Sequence, residues 1–452
     1  VLKLFIIGFL GLLLLIPSIL IQSLIEEREK TRDQAVTEIS SKWGSDQSLG
    51  GPVLTVPFRR GRTNEQGKTE LITDYAHFFP ERLDVRGRLT PEKRYRGIYV
   101  VMLYNAQLTF SGRFRQPDFA ALKIRPEDVQ WNDAFVSFGL TDLKGIRRAI
   151  QMKFGEQQLQ FEPGEATPDL FQRGVGIPVK LVPGGTAAIP FTLNLNLNGS
   201  NELNVLPLGQ ETNVELTSPW PTPSFVGTFL PEQRSVTGEG FTACWKVLHY
   251  NRNYPQQGVG AFVNFQPTPV PNEYRDGKPV INDESGRFGV KLLLPVDEYQ
   301  KTARSAKYSV LFVLLTFTAF FFVEILNKRR LHPIQYLLVG VAVVLFYVLL
   351  LSISEYLSFA NAYAIAVAVI LGMVFLYTKA IFRSLRLAII FNGILAIFYG
   401  FFYSLLQLED YALLMGSFGL VLILGVVMYL TRNLDWYRAY GEPRDPAGAV
   451  PQ

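Results

Sequence analysis

Cysteine is almost absent from these 452 residues: Cys244 stands alone. One thiol excludes an internal disulfide framework and any Cys-rich metal site. A folded domain here must stand on its own apolar core, and a segment of about 280 residues is large enough to build one. Histidine is nearly as scarce, and His77, His249 and His332 have no neighbouring ligand pair in the sequence. Each imidazole is expected to be structural. Also missing are His-Glu-x-x-His, Cys-x-x-Cys, Gly-x-x-x-x-Gly-Lys and Gly-x-Ser-x-Gly, the signatures of zinc peptidases, dithiol redox enzymes, nucleotide hydrolases and serine hydrolases. Carboxylates are plentiful, but spacing does not say which two meet, so paired acid-base work stays open and unlocated. The expectation is a non-enzymatic chain without a cofactor. A formal net charge of +5 is small for this length, and the bases beside the apolar runs serve membrane topology, which argues against nucleic acid as a partner.

What is present in abundance is apolar sequence, unevenly spread. Apolar runs fill the first 25 residues and the segment after Tyr308, whereas Glu26 to Lys307 is mixed and polar. The order is membrane, soluble domain, membrane. Ser309 to Leu351 holds two runs, each close to the roughly twenty residues a helix needs to cross a bilayer core, folded about the turn Asn327-Lys328-Arg329-Arg330-Leu331-His332-Pro333. Lys328, Arg329 and Arg330, with His332 beside them, assign that turn to the cytoplasm. Three further runs follow, 359–377, 387–406 and 411–430. Lys379, Arg383 and Arg386 lie between the fourth and fifth spans, while Ser354-Glu355-Tyr356 and Glu409-Asp410 carry no base. Six spans with both termini inside satisfy every short loop.

The first run, Leu4 to Ile21, shows no small-x-small cleavage pattern after Pro17 and is expected to remain as an anchor, kinked at the proline. After Ile25 the charged sequence Glu26 to Asp33 has no helix breaker before Gly44. It reads either as a helical stalk with pairs such as Glu26 to Lys30 or as a solvated linker. Gly50-Gly51-Pro52 then marks entry into another architecture. The expected domains are 1–25 anchor, 26–49 stalk or linker, 50–307 β-rich domain, 308–430 five-helix bundle and 431–452 cytoplasmic tail.

From Pro52 to Tyr299 the signal has period two. Phe191-Thr192-Leu193-Asn194-Leu195-Asn196-Leu197-Asn198 alternates strictly, as in a strand with one buried and one wet face. Asn198-Gly199 reads as a turn, and Leu203, Val205 and Val214 to Thr217 as further strand. Leu108 to Phe114 and Leu83 to Leu89 also alternate, Gly97 to Leu103 reads as buried on both faces, and Asp118 to Leu122 as a short helix. The fold class is an α+β membrane protein, six transmembrane α-helices with a large, mainly antiparallel β domain inserted between helices 1 and 2.

The run Trp220 to Pro231 has the most unusual composition outside the membrane. Pro221 and Pro223 oppose a regular helix or central strand, leaving Trp220, Phe225 and Phe229 on an irregular loop. Rigid aromatics could contact a partner or lipid, or tuck under the sheet as a core plug. Within the spans, Glu324 and Glu355 lie near segment ends, where snorkelling to water is the simpler account, and Asn392-Gly393 is read as a helix-packing feature.

Together, Gly51-Pro52, Trp220-Pro221-Thr222-Pro223-Ser224-Phe225-Val226-Gly227-Thr228-Phe229-Leu230-Pro231, Ala306-Lys307-Tyr308, Arg330-Leu331-His332-Pro333-Ile334-Gln335-Tyr336-Leu337-Leu338-Val339-Gly340 and Thr431-Arg432-Asn433-Leu434-Asp435-Trp436-Tyr437 resemble the CreD family of bacterial inner-membrane proteins. The charge-read topology puts the β domain in the periplasm; the resemblance implies a Gram-negative inner-membrane protein linked to envelope integrity and, through a two-component system, to the response to cell-wall damage, with no catalytic residues to carry over. The leading expectation is a β domain that binds an envelope protein, lipid or glycan, with the lipid bilayer as the other partner. The competing expectations are a transporter or channel for a lipid or small envelope solute, and a membrane-anchored enzyme on glycan or lipid.

Overall fold

The computed structural model describes residues 2–63, 69–164, 167–265, 274–275, 278–279, 281–282, 286–293, 298–327, 331–408 and 411–432. They belong to two compact units, one of Val1–Thr31 with Val296–Gln452, the other of Arg32–Pro295.

The first unit is helical. Its helices are α1 (Leu2–Leu13), the start of α2 (Leu15–Trp43), α3 (Glu298–Lys307), α4 (Ser309–Leu326), α5 (Pro333–Ser354), α6 (Phe359–Phe382), α7 (Leu385–Gln407) and α8 (Ala412–Thr431). Leu14 alone separates α1 from α2, and the cause lies three residues on. Pro17 has no N–H to give the Leu13 carbonyl, and its ring crowds that carbonyl. Ser18 adds a side-chain bond there, donating its hydroxyl to the Leu14 oxygen at 2.9 Å. Leu14 is buried against Gly340 of α5, where a Cβ would stand 2.2 Å from the leucine Cδ1. A side chain at 340 would force Leu14 or Phe317 to shift.

Among the described residues four helices are long and apolar enough to cross a membrane: Phe5–Trp43, Pro333–Ser354, Phe359–Phe382 and Leu385–Gln407. The pair Lys301–Lys307 and Ser309–Ile325, bent by 48°, makes a fifth if it is one span, and Leu414–Tyr429 is a shorter apolar helix. The interior is aromatic. Phe320 lies 4.8 Å from Tyr336, 5.6 Å from Phe382 and 5.0 Å from Phe391, centroid to centroid. The exterior is apolar too, with Phe418, Val421, Leu422 and Leu376 among the most exposed side chains, a surface that suits a hydrocarbon solvent and not water.

Of the two span acids singled out from sequence, Glu324 departs from the snorkelling expectation. Glu324 is buried and accepts the Leu331 N–H at 3.1 Å and the Tyr336 hydroxyl at 2.7 Å. It closes the α4–α5 turn instead of reaching water, because two donors meet a carboxylate at lower cost than desolvating it unpaired. Glu355, at the end of α5, stands 3.8 Å from the Arg28 guanidinium on α2. Asn392 donates to the Leu371 carbonyl at 3.1 Å, tying α7 to α6 with α7 unbroken.

The second unit begins inside α2, which runs on through the charged segment to Trp43, with Lys42 2.7 Å from Glu38 one turn earlier. Its strands in chain order are β1 (Gln47–Thr63), β2 (Thr69–Phe78), β3 (Arg82–Arg96), β4 (Tyr99–Phe114), β5 (Phe135–Leu140), β6 (Gln151–Phe154), β7 (Gln157–Gln160), β8 (Glu162–Pro163), β9 (Gly174–Pro178), β10 (Ile189–Ser200), β11 (Glu202–Val205), β12 (Glu211–Ser218), β13 (Pro223–Gly227), β14 (Gln233–Thr237), β15 (Gly240–Leu248) and β16 (Gln257–Val259). One further strand, Phe288–Leu292, completes the larger sheet. Two sheets result. The nine-stranded sheet runs β13, Phe288–Leu292, β11, β1, β5, β9, β8, with β2 on β1 and β16 on β2; the eight-stranded sheet runs β14, β15, β12, β3, β4, β10, β6, β7. Most pairs are antiparallel, but β1 with β11 and β12 with β3 are parallel, so the domain is mixed.

The sheets pack face to face. Phe110 of β4 meets Phe138 of β5 edge-on at 4.9 Å, and one buried cluster draws on both sheets. A separate cluster, including Val53, Phe79, Phe171, Leu206, Tyr254 and Phe265, forms against the nine-stranded sheet. The outer face of the eight-stranded sheet has no such cover among the described residues.

Three local expectations are corrected. Asp118 to Leu122 is a set of turns, not a helix; Asp118 Oδ1 accepts the Ala121 N–H at 3.1 Å, and Lys123 ends the set at φ +59°. Asn198-Gly199 is not a turn, for β10 continues to Ser200 and the chain reverses at Asn201, φ +48°. Gly199 is required there by a neighbour, since a Cβ would stand 2.3 Å from the Tyr104 hydroxyl. Gly50-Gly51-Pro52 does not precede the sheet but interrupts β1, whose register against β5 shifts between Gly50 and Val53.

Candidate functional site

The alternation of β10 that buries Phe191, Leu193, Leu195 and Leu197 sends Asn194 and Asn196 to the open face. Register then aligns side chains across five strands. One row runs Glu215, Arg86, Thr109, Asn194, Gln151, and the next runs Thr217, Arg88, Gln107, Asn196. Arg148, on the segment entering β6, is held beside them by the Arg147 N–H bond to the Asn196 carbonyl at 3.0 Å. These side chains line a groove of about 770 Å³, within the roughly 300–1,000 Å³ of ligand pockets.

The groove's hydrogen bonding is one-sided. Asn194 Oδ1 accepts from the Thr109 hydroxyl at 3.0 Å, and Asn196 Oδ1 from Asn105 Nδ2 at 2.9 Å. With both oxygens engaged, the amide nitrogens of Asn194 and Asn196 face the groove as donors, and neither has a protein acceptor among the described residues. Arg88 and Arg148 have no ion pair among those residues, and Arg86 has Glu215 at 3.7 Å. A neighbouring groove of about 520 Å³ on the same face is neutralised by contrast: Arg82 binds Asp84 at 2.7 Å and Lys246 lies 3.6 Å from Glu211. Burial alone would raise the Asp84 carboxyl, but Arg82 and Asn213 outweigh it and hold the group below its ordinary value. Cys244 lines this second groove; partial burial and then the Glu215 charge push its thiol up.

The comparisons bear on the whole chain. The family model described as "Inner membrane protein CreD" matches residues 1–437. The chain belongs to the CreD family. An Escherichia coli (strain K12) relative, described as inner membrane protein CreD, is 34% identical over 439 residues, covering 96% of this chain and 92% of the relative. With the apolar helices, membership makes this a multi-pass inner-membrane protein with a β-rich domain. A solved M1 zinc metallopeptidase from Deinococcus radiodurans aligns over 37% of this chain and 38% of its own at 12% identity and a TM-score of 0.19, too slight a likeness to carry an argument.

In this CreD-family chain the residues singled out from sequence have definite places. Pro223 to Gly227 forms β13, an edge strand on Phe288–Leu292, not an irregular loop; proline is tolerated at an edge because one side of the strand needs no N–H. Trp220 is buried, with Nε1 donating to the Leu293 carbonyl at 3.0 Å. Phe225 packs edge-on against Phe241 at 5.9 Å and Trp245 at 5.7 Å, and Phe229 against Phe288 at 5.8 Å. Pro221 is exposed. Trp220 belongs to the buried cluster between the sheets, and Phe225 and Phe229 are half-buried against it. Lys328, Arg329 and Arg330 lie outside the described residues. His332 caps α5, its Nδ1 accepting the Ile334 N–H at 3.3 Å. Lys379 in the last turn of α6, Arg383 ending that helix in the left-handed region and Arg386 in the first turn of α7 are all exposed.

His77 has partners that sequence spacing does not reveal. Its Nδ1 lies 2.9 Å from Thr55 Oγ1 and its Nε2 3.3 Å from Asp169 Oδ2. All three are buried, and the set bonds β1 and β2 to the 167–171 segment. No group of three His, Cys, Asp or Glu among the described residues could hold a metal ion.

Proposed function

We propose that this CreD-family protein is a six-span inner-membrane protein, with both termini cytoplasmic and its β domain periplasmic, that serves envelope integrity and the response to envelope stress by binding an envelope component without catalysing a reaction. The observation that carries the reading is the open outer face of the eight-stranded sheet with its donor-lined groove. The orientation is supported by Lys379, Arg383 and Arg386 at the end where α6 meets α7, against the base-free Ser354-Glu355-Tyr356 stretch; bases are retained on the cytoplasmic side. The sixth span is α8 with the flanking apolar residues. The Phe320, Tyr336, Phe382 and Phe391 interior of the bundle favours binding by the β domain over a carrier.

The test is native mass spectrometry of the full chain extracted gently from its own membranes, with hydrogen exchange mapping any adduct. A defined adduct that slows exchange in Arg32–Pro295 is expected. An adduct that protects only α3 to α8 would move the function to the bundle.

A further inference from the structure

We infer that the groove on the open face recognises a carboxylate-bearing glycan, held by Arg86, Arg88 and Arg148 with the amide groups of Asn194 and Asn196 between them. The inference rests on the binding reading above and names its ligand class.

Charge comes first. Three guanidiniums face one carboxylate, Glu215, and two of the three are unpaired among the described residues. In the adjoining groove the bases are already matched by acids, so an anion gains most in the first. Arg86 and Arg88 are two residues apart on β3, so their stems start about 7 Å apart along the strand. Arg148 adds a third charge from the far side of β10. A compact anion such as phosphate spans one of these positions; a chain with carboxylates spaced along it spans them all.

The groups between the charges are Thr109, Gln107, Asn194, Asn196, Gln151 and Thr217, neutral and rich in donors. Such groups pair with the hydroxyl, ring and acetamido oxygens of a sugar. The lining contains no aromatic residue, which removes the stacking platform that single-stranded nucleic acid requires. Nor does the groove lie along a strand edge, where an extended peptide would add by main-chain bonds. Sugar oxygens set against fixed amides, with carboxylates on guanidiniums, is the chemistry that remains.

The experiment uses the full chain in nanodiscs and soluble fragments of cell-wall glycan carrying free carboxylates. Three probes run beside them: the same fragments methyl-esterified, a glutamate oligomer and inorganic phosphate. Binding of the free-acid fragments is expected, weakened by about tenfold for each of Arg88→Gln and Arg148→Gln and by esterification. Asn194→Asp keeps the acceptor for Thr109 but replaces the outward donor, and is expected to weaken binding as well. Equal binding of the glutamate oligomer or of phosphate would overturn the glycan assignment. Unchanged affinity in the variants would overturn the groove assignment, and the broader reading would survive if the native adduct still protected the β domain. Loss of every adduct, native and added, would end both.

Discussion

Glu81 shows how a single side chain contributes to the acid response of the domain. Its carboxylate takes bonds from Arg113 at 2.6 Å and from Arg115 at 2.8 Å, and those guanidiniums, Arg113 first, hold it below its ordinary pKa. A carboxyl depressed in the folded state contributes stability above its unfolded pKa and loses it as pH falls through the folded value. Glu81→Gln should therefore lower the thermal midpoint at neutral pH, with the gap to the parent chain closing in acid. Melting curves across the acid range check this. A gap that stays constant into acid would mean that the ion pair is not its source. Tyr104 shows the opposite influence: burial, then the Asp46 and Glu202 charges, push its phenol well above the usual value, and its hydroxyl donates to the Glu202 carbonyl at 2.8 Å. It acts as a neutral donor that fastens β4 to β11.

At the scale of elements, β10 is the best-specified strand in the chain and also a place where local reading fails. Its alternation marked the buried and wet faces correctly from Phe191 to Leu197, because period two is dictated by the pleat. Asn198-Gly199 mimics a turn in composition, yet the glycine answers a contact with Tyr104 that no window of sequence contains. Gly199→Ala should thus cost about 1–3 kcal/mol through overpacking, read as a lowered unfolding midpoint with β10 still paired to β4. A neutral substitution would show that the Tyr104 ring can yield. The same limit explains the rest. Outward residues of β3, β4, β10 and β12 are each visible in sequence, but the groove depends on their register. Thr55, His77 and Asp169 lie too far apart in the chain for spacing to join them, and β13 was hidden because two prolines look alike in a loop and on a sheet edge. Glu324 seemed ready to snorkel because its two donors belong to the turn and to the next helix.

For the whole molecule, the scarcity of cysteine becomes a tool. Cys244 is the sole cysteine of this chain and is partly exposed on β15, so the chain carries one reporter of sidedness. The proposed periplasmic placement predicts that a membrane-impermeant maleimide labels cells whose outer membrane has been permeabilised, at mildly alkaline pH because the thiol is pushed up. Labelling that appears only after the inner membrane is broken would reverse the orientation.

The order in which this domain can be completed during synthesis follows from its weave. The first residues of β1, Gln47 to Leu49, pair with Leu203 to Val205 of β11. Both β11 and β13 in turn pair with Phe288–Leu292, whose Phe288 and Val290 are fully enclosed. The opening strand of the nine-stranded sheet therefore waits for its parallel neighbour, and that neighbour's far edge waits for the last strand before α3. A nascent chain must keep some 240 residues of β sequence from misassociating until that strand emerges, so the sheet closes only as the helical bundle begins to be made.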